Sequence, residues 1–151
     1  MRVVLDSNIL ARSAYRFAGP AGEVLSQLGE PGHTLITSVF LLDELSRVLG
    51  YPRLQRYHGL TIAEVERFVA DVAGASLLVE LGEAPMRSVV PSDPDDDPIV
   101  ATAIAGKAEV LCTRDKHLHH PEVAAYCRAH GIRVLTDVEL LRLLRTKDAT
   151  G

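Results

Sequence analysis

The sequence predicts an α/β domain, a mainly parallel sheet of five strands with helices on both faces. Three observations carry that prediction. Five short runs rich in Val, Leu and Ile recur along the chain, separated by stretches whose apolar residues repeat with a helical period. Several of those stretches begin at Ser, Thr or Asp and end at Gly, the residues that cap helices. No repeat or internal linker interrupts the alternation, and 151 residues suit one domain with a core of its own. Strands that alternate with helices form βα units, whose sheets are parallel and covered on both sides.

Taken in order, "RVVL" is the first strand, Arg2 to Leu5, and a helix is expected from about Asn8 to Tyr15. "GPAGEVLSQLGE" predicts a second helix, with Pro20 near its first turn and Gly29 near its end. "HTLIT" is a second strand. "SVFLLDELSRVLG" is a strong helix that Ser38 can cap and Gly50 can close. "YPRLQRYHGL" reads as a loop or a short helix, and "TIAEVERFVADVA" opens on a capping box of Thr61 and Glu64. "SLLVEL" is a third strand, "PSDPDDDP" a loop, and "PIVATAIAG" a helix with Pro98 at its first position. "EVLCT" is a fourth strand, "PEVAAYCRAHG" a helix and "IRVL" a fifth strand. "TDVELLRLLR" is a last helix, with a capping box of Thr136 and Glu139. The domain is expected to span residues 1–145, with 146–151 a frayed tail.

The composition excludes several classes. Cys112 and Cys127 have no metal-ligand spacing and read as buried thiols of a reducing compartment. The chain enters a strand within two residues and has no apolar run near the ~20 residues needed to span a bilayer, so no leader and no membrane segment are expected and the expected location is cytoplasmic. A net charge of −4 argues against a broad basic face for nucleic acid, but not against a small nuclease whose acids are neutralised by metal ions.

Four acids stand at informative places. Asp6 follows the first strand and Asp115 the fourth, at the carboxyl edge where ligands bind in such sheets. Each can also be a plain cap or turn residue. Glu44 has Phe40, Leu41 and Val48 at helical spacing and so faces the apolar stripe, or its rim, whereas Asp43 can pair with Arg47 on the surface. "DPDDDP" places Asp93, Asp95, Asp96 and Asp97 before a small apolar helix; Asp97 can cap that helix and also stand near the strand ends. Four carboxylates brought together repel one another. A hard divalent cation relieves this, and an all-oxygen set suits Mg²⁺ or Mn²⁺ rather than zinc.

With these motifs in order, the chain resembles the PIN-domain ribonucleases, including VapC-like toxins of toxin–antitoxin pairs, over about residues 2–144. "VVLDSNIL" is similar to the family's opening strand and first acid, "LLDELSRVL" to its second, "DPDDDPIVATAIAG" to its third and "VLCTRDKHL" to its fourth. The resemblance implies a three-layer α/β/α fold and metal-dependent cleavage of RNA, with one or two Mg²⁺ or Mn²⁺ ions. It places Asp6, Glu44, Asp97 and Asp115 on the family's acidic quartet as catalytic metal ligands. The third of them is open among Asp95, Asp96 and Asp97, and is taken as Asp97 because it stands directly before the apolar helix. The resemblance places Asn8 and Thr113 on polar positions that line the site; Asp96 and Arg114 are expected around the substrate. Ser7 stands where many members have Thr. The implied partners are an RNA substrate, a cognate antitoxin protein and a second copy of the chain in a homodimer.

Two stretches are less specific. "RDKHLHHP" carries Arg114, Lys116, His117, His119 and His120, as a solvated loop near RNA or a His-rich metal site. Arg47, Arg53, Arg56 and His58 form a local positive stretch that can guide phosphates or simply face solvent. Two other functions compete: a catalytically silent PIN-like module that binds RNA or protein, and a phosphatase with Asp6 as nucleophile. The phosphatase would want a second Asp two residues on, where Asn8 stands.

Overall fold

The structure, a computed structural model, describes the backbone of residues 1–81 and 97–150 and the side chains of 1–81 and 98–147. Residues 91–96 of "PSDPDDDP", with Asp93, Asp95 and Asp96, lie outside the described residues, as does the Asp97 side chain. Among the described residues, five strands form one sheet: β1 (Arg2–Leu5), β2 (Thr34–Thr37), β3 (Ser76–Leu78), β4 (Val110–Cys112) and β5 (Arg133–Leu135). Their order is β3-β2-β1-β4-β5, and every neighbouring pair is parallel. The chain thus winds outward from β1 to one edge, then returns to the other side of β1 for β4 and β5. The order reverses between β1 and β4.

Among the described residues, eight helices accompany the strands: α1 (Ser7–Tyr15), α2 (Pro20–Leu28), α3 (Val39–Leu49), α4 (Pro52–His58), α5 (Ile62–Ala75), α6 (Asp97–Ala105), α7 (Pro121–Ala129) and α8 (Asp137–Thr150). Alternate strand residues point to opposite faces, and they build two separate cores. Val3, Leu5, Leu35 and Val110 pack with Leu10, Val24, Leu45 and Leu140 from the helices on one face. Val4, Ile36 and Leu111 pack with Ile99, Ala103, Val123 and Cys127 on the other. The result is three layers, α/β/α, as expected. Two cores on a single sheet require strands that are apolar on both sides, which explains their unbroken apolar runs.

Local chemistry accounts for the helix ends. The Ser38 hydroxyl accepts from the Leu41 N–H and starts α3. Thr61 and Glu64 form the capping box of α5, each side chain bonded to the other's backbone N–H. The segment left between loop and helix is α4; it opens on Pro52 and closes at Gly59, whose φ of 67° favours a residue without a side chain. The small helix α6 lies close to the sheet. A Cβ on Gly106, just past its end, would stand 2.5 Å from the Ile36 Cγ2. The "SLLVEL" strand is shorter than expected and ends at Leu78, while the last helix continues through Thr150 rather than giving way at residue 146.

Both cysteines are free and buried, and burial raises both thiols, that of Cys127 to about 11. Neither is a reactive thiolate. Among the described residues no helix is long and apolar enough to cross a membrane.

Candidate active site

Asp6 ends β1 and occupies the N-cap position of α1, yet its side chain makes no cap bond. The carboxylate, 2% exposed, is used elsewhere. Its Oδ2 accepts the Thr113 hydroxyl at 2.7 Å, and its Oδ1 lies 3.3 Å from the Ser7 hydroxyl. Thr113 follows β4, so this bond spans the place where the strand order reverses. In open parallel sheets that is where ligands bind, beyond the carboxyl ends of the strands. The Asp6 N–H donates to the Cys112 carbonyl at 2.9 Å and continues the β1–β4 ladder into the site.

Ser7 joins a second acid to the first. Its hydroxyl donates to Glu44 Oε1 at 2.7 Å, from α3 across to α1. The helical wheel accounts for this placement: Glu44 is half-buried on the inner side of α3, whereas Asp43 is exposed. Arg47 is exposed as well, but the Asp43–Arg47 ion pair expected from their spacing does not form. Both side chains have water as an alternative, so holding two long chains together brings little.

Asp115 extends the same edge. Its N–H donates to the Thr113 hydroxyl at 3.0 Å, and its Oδ1 accepts the His117 N–H at 2.9 Å, a local turn that fixes the carboxylate. Thr113 therefore touches both acids. Burial raises the Asp6 carboxyl above its ordinary range, and the negative charges of Glu44 and Asp115 push the same way, against the bond from Thr113. No cationic side chain pairs with Asp6, Glu44 or Asp115 among the described residues, where the ion pairs are Arg114–Asp137 and Arg145–Glu23. The three do not converge as a closed metal-binding trio: among the described residues no group of three His, Cys, Asp or Glu side chains is arranged to hold an ion.

The fourth expected acid, Asp97, opens α6, and its backbone alone is described. The first turn of α6 is tied to the same edge. The Thr102 hydroxyl donates to the Pro98 carbonyl at 2.7 Å and meets the Ser38 hydroxyl at 2.9 Å, at the end of β2. Asp96 lies outside the described residues. Asn8 is exposed and bonds to none of the acids; it lines a cavity beside them together with Arg114. Arg114 donates through Nε to Asp137 Oδ1 at 2.7 Å.

Asp137 is a fifth acid that the sequence reading did not single out. It is fully buried at the start of α8, directly beyond β5. The strand-end rule that marks Asp6 and Asp115 applies equally to "VLTD", where Asp137 sits inside the capping box of Thr136 and Glu139. The histidines have structural work. His119 Nε2 donates to the Thr113 carbonyl at 2.7 Å, and the His120 ring accepts the Glu122 N–H at the start of α7. His58 does not face outward toward phosphates: its Nε2 reaches the Leu49 carbonyl at 3.0 Å and its Nδ1 accepts the Leu60 N–H at 2.8 Å. The ring thereby joins the ends of α3 and α4.

No curated protein and no solved structure shows a significant match to the chain. A family profile does: that of the PIN domain matches residues 2–117, from β1 through the loop after β4, and takes in the positions of all four expected acids. Its members are generally nucleases. With an all-parallel five-stranded sheet, and acids gathered at its point of reversal, the chain belongs to the PIN domain family.

Proposed function

We propose that the chain is a metal-dependent endoribonuclease in which Asp6, Glu44, Asp97 and Asp115 hold Mg²⁺ or Mn²⁺, as one or two ions. The observation that carries this reading is the set of three acids at the reversal point of the sheet, with Glu44 and Asp6 on either side of the Ser7 hydroxyl, the Asp115 backbone linked to Asp6 through Thr113, and no cationic partner for any of them among the described residues. Carboxylates that repel at a buried edge are an unstable arrangement without a cation. The donors are hard oxygens, which fit Mg²⁺ or Mn²⁺, and His119 and His120 are engaged with backbone. Mg²⁺ keeps several of its waters, so part of the acid set can act through them.

Each residue then has a distinct task. Thr113 occupies one Asp6 oxygen and fixes the direction of the carboxylate, while the other faces the Ser7 hydroxyl at 3.3 Å. Ser7 holds Glu44 toward Asp6, and the turn at His117 aims Asp115. Asn8, Arg114 and Asp96 are assigned to orient the substrate around them. When bound, the ion supplies an activated water and a counter-charge for the leaving oxygen of a phosphodiester. An Asp6 nucleophile is less favoured, because Asn8 stands where such a phosphatase would want its second Asp. The reading extends to a cytoplasmic toxin of a toxin–antitoxin pair, a homodimer held in check by an antitoxin protein. The resemblance of the acidic loop is its support, and co-purification with the product of an adjacent small reading frame is its check.

The test is cleavage of labelled RNA in MgCl₂ or MnCl₂, with and without excess EDTA, by the wild type and Asp6→Asn. Cleavage that needs the ion and disappears in the variant is expected. Undiminished cleavage in EDTA overturns the metal assignment, and metal-dependent cleavage that survives Asp6→Asn overturns the site.

A further inference from the structure

Beside the acids lies a cavity of about 260 Å³. Its walls are Asn8, Arg12 and Tyr15 of α1, Val48 of α3, Leu54 of α4, and Arg114 from the loop after β4. It shares two short connections with the acid site: Asn8 follows Asp6 by two residues, and Arg114 stands between Thr113 and Asp115. No acidic residue lines it. Arg12 is half-buried there and makes no ion pair or side-chain hydrogen bond among the described residues. A guanidinium held partly out of water without an anion is poorly satisfied. Arg114 is anchored through its Nε to the buried Asp137, which leaves its terminal N–H groups for another acceptor.

The remaining walls suit a base. Tyr15 is held by neighbours, edge-on to Tyr57 at 5.5 Å between ring centres and stacked with His58 at 6.0 Å. Val48 and Leu54 are apolar. Arginine beside an aromatic ring, next to a site for phosphodiester chemistry, is the combination that takes single-stranded nucleic acid, with the guanidinium on phosphate and the ring against the base. The volume is smaller than that of an ordinary drug-sized pocket, about 300 Å³ or more, and limits the occupant to roughly one nucleotide.

Resting on the nuclease reading, we propose that this cavity receives the nucleotide next to the cleaved bond of a single-stranded RNA, with its phosphate on Arg12 and Arg114 and its base against Tyr15. Arg12 is then a positioning residue. It brings the neighbouring scissile phosphate to the acids and takes no part in bond breaking. The cavity explains how a chain of net charge −4 can present an acidic site to a polyanion: the positive charge sits one nucleotide away from the acids.

The test uses Arg12→Gln and Arg12→Lys, because Arg114→Gln would strand the buried Asp137. Steady-state cleavage of a short single-stranded RNA is measured in MgCl₂. Binding of the same RNA is measured by fluorescence anisotropy in an Asp6→Asn background across a salt series, and thermal melts check folding. Arg12→Gln is expected to raise KM and weaken binding by about tenfold at unchanged kcat, and to reduce the slope of log affinity against log salt by about 0.7, one phosphate contact on a single strand. Arg12→Lys should restore the slope, and still reads the contact if the Gln variant fails to fold. Wild-type KM, affinity and slope in the folded variants overturn the inference while leaving the nuclease reading intact. Arg12-dependent binding without any cleavage by the wild type keeps the subsite and overturns the nuclease. Equal, Arg12-dependent binding of the matching duplex overturns the single-strand assignment.

Discussion

The Ser7 hydroxyl carries one proton and stands between two carboxylates, 2.7 Å from Glu44 and 3.3 Å from Asp6. It can satisfy one of them well, and the shorter distance assigns the proton to Glu44. The charges on the two acids are therefore bridged rather than cancelled. Glu44 and Asp43 are adjacent in sequence and opposite in situation, one bonded at the site and the other exposed. Helical spacing against Phe40, Leu41 and Val48 made that difference readable beforehand, whereas the link through Ser7 was not, since it joins residues 37 positions apart on different helices. Glu44→Gln keeps an oxygen for the Ser7 hydroxyl and removes the charge. It is expected to lower RNA cleavage by about 100-fold or more, as loss of a direct ion ligand should exceed the effect of altering its supporting bonds. Asp43→Ala should leave cleavage within about twofold. Initial rates in MgCl₂, with melts to confirm folding, compare the two; equal losses would mean that Glu44 is only a packed helix residue.

Elements were the most readable level of the chain, because their ends are written in short-range chemistry. Thr61 with Glu64 and Thr136 with Glu139 both close the reciprocal bonds that their spacing predicts. Ser38 and Gly50 bound α3, and Pro52 opens α4. Less was readable where an end depends on tertiary partners: β3 stops at Leu78 although "SLLVEL" continues apolar, and α8 runs through Thr150 although its apolar pattern fades earlier. The α8 cap is open to a direct test. The Glu139 carboxyl is held below its ordinary range, first by the bond from the Thr136 N–H. A carboxyl depressed in the folded state adds stability above its unfolded value, and that stability is lost as pH falls through the depressed one. Thr136→Ala removes the hydroxyl that accepts the Glu139 N–H. At neutral pH it should cost about 1 kcal/mol, or about 2–4 °C in melting temperature for a domain of this size. The carboxylate itself is read by Glu139→Gln, whose gap from wild type should be present at neutral pH and narrow in acid, where the wild-type Glu139 becomes protonated. Melting curves at neutral pH and near pH 3 check both; a Glu139→Gln gap that does not change with pH would mean that the Glu139 charge contributes nothing to the cap.

At the scale of the whole molecule, the site exists because the sheet reverses. Strand–helix alternation revealed a parallel sheet and which strand ends carry acids, but not that β1 and β4 are neighbours, since that pairing joins residues more than a hundred positions apart. The reversal brings Asp6 and Thr113 together, and α3 adds Glu44 from the side of β2. Repulsion at this junction acts between the two halves of the sheet, so its relief should stabilise the entire fold. Two carboxylates about 4 Å apart repel by about 1 kcal/mol in water and by about 4 kcal/mol at the effective dielectric of a protein surface. Asp6→Asn removes the most buried charge of the three and keeps an oxygen that can accept from Thr113. The metal-free variant should therefore melt higher than the metal-free wild type. Added Mg²⁺ should reverse the order. The wild type gains about 2.7 kcal/mol when free ion reaches about 100 times its dissociation constant, because the ion binds only the folded chain. At about 2–4 °C per kcal/mol, this is a rise of roughly 5–10 °C. The variant, short of one ligand and of the repulsion that made the ion useful, should respond much less. Melts of both proteins in EDTA and across a Mg²⁺ series, at constant ionic strength so that general screening does not mimic binding, decide the matter. If Asp6→Asn melts lower without metal and responds to Mg²⁺ like the wild type, Asp6 is held for its bonds to Thr113 and Ser7 alone, and the ion, if one binds, sits elsewhere.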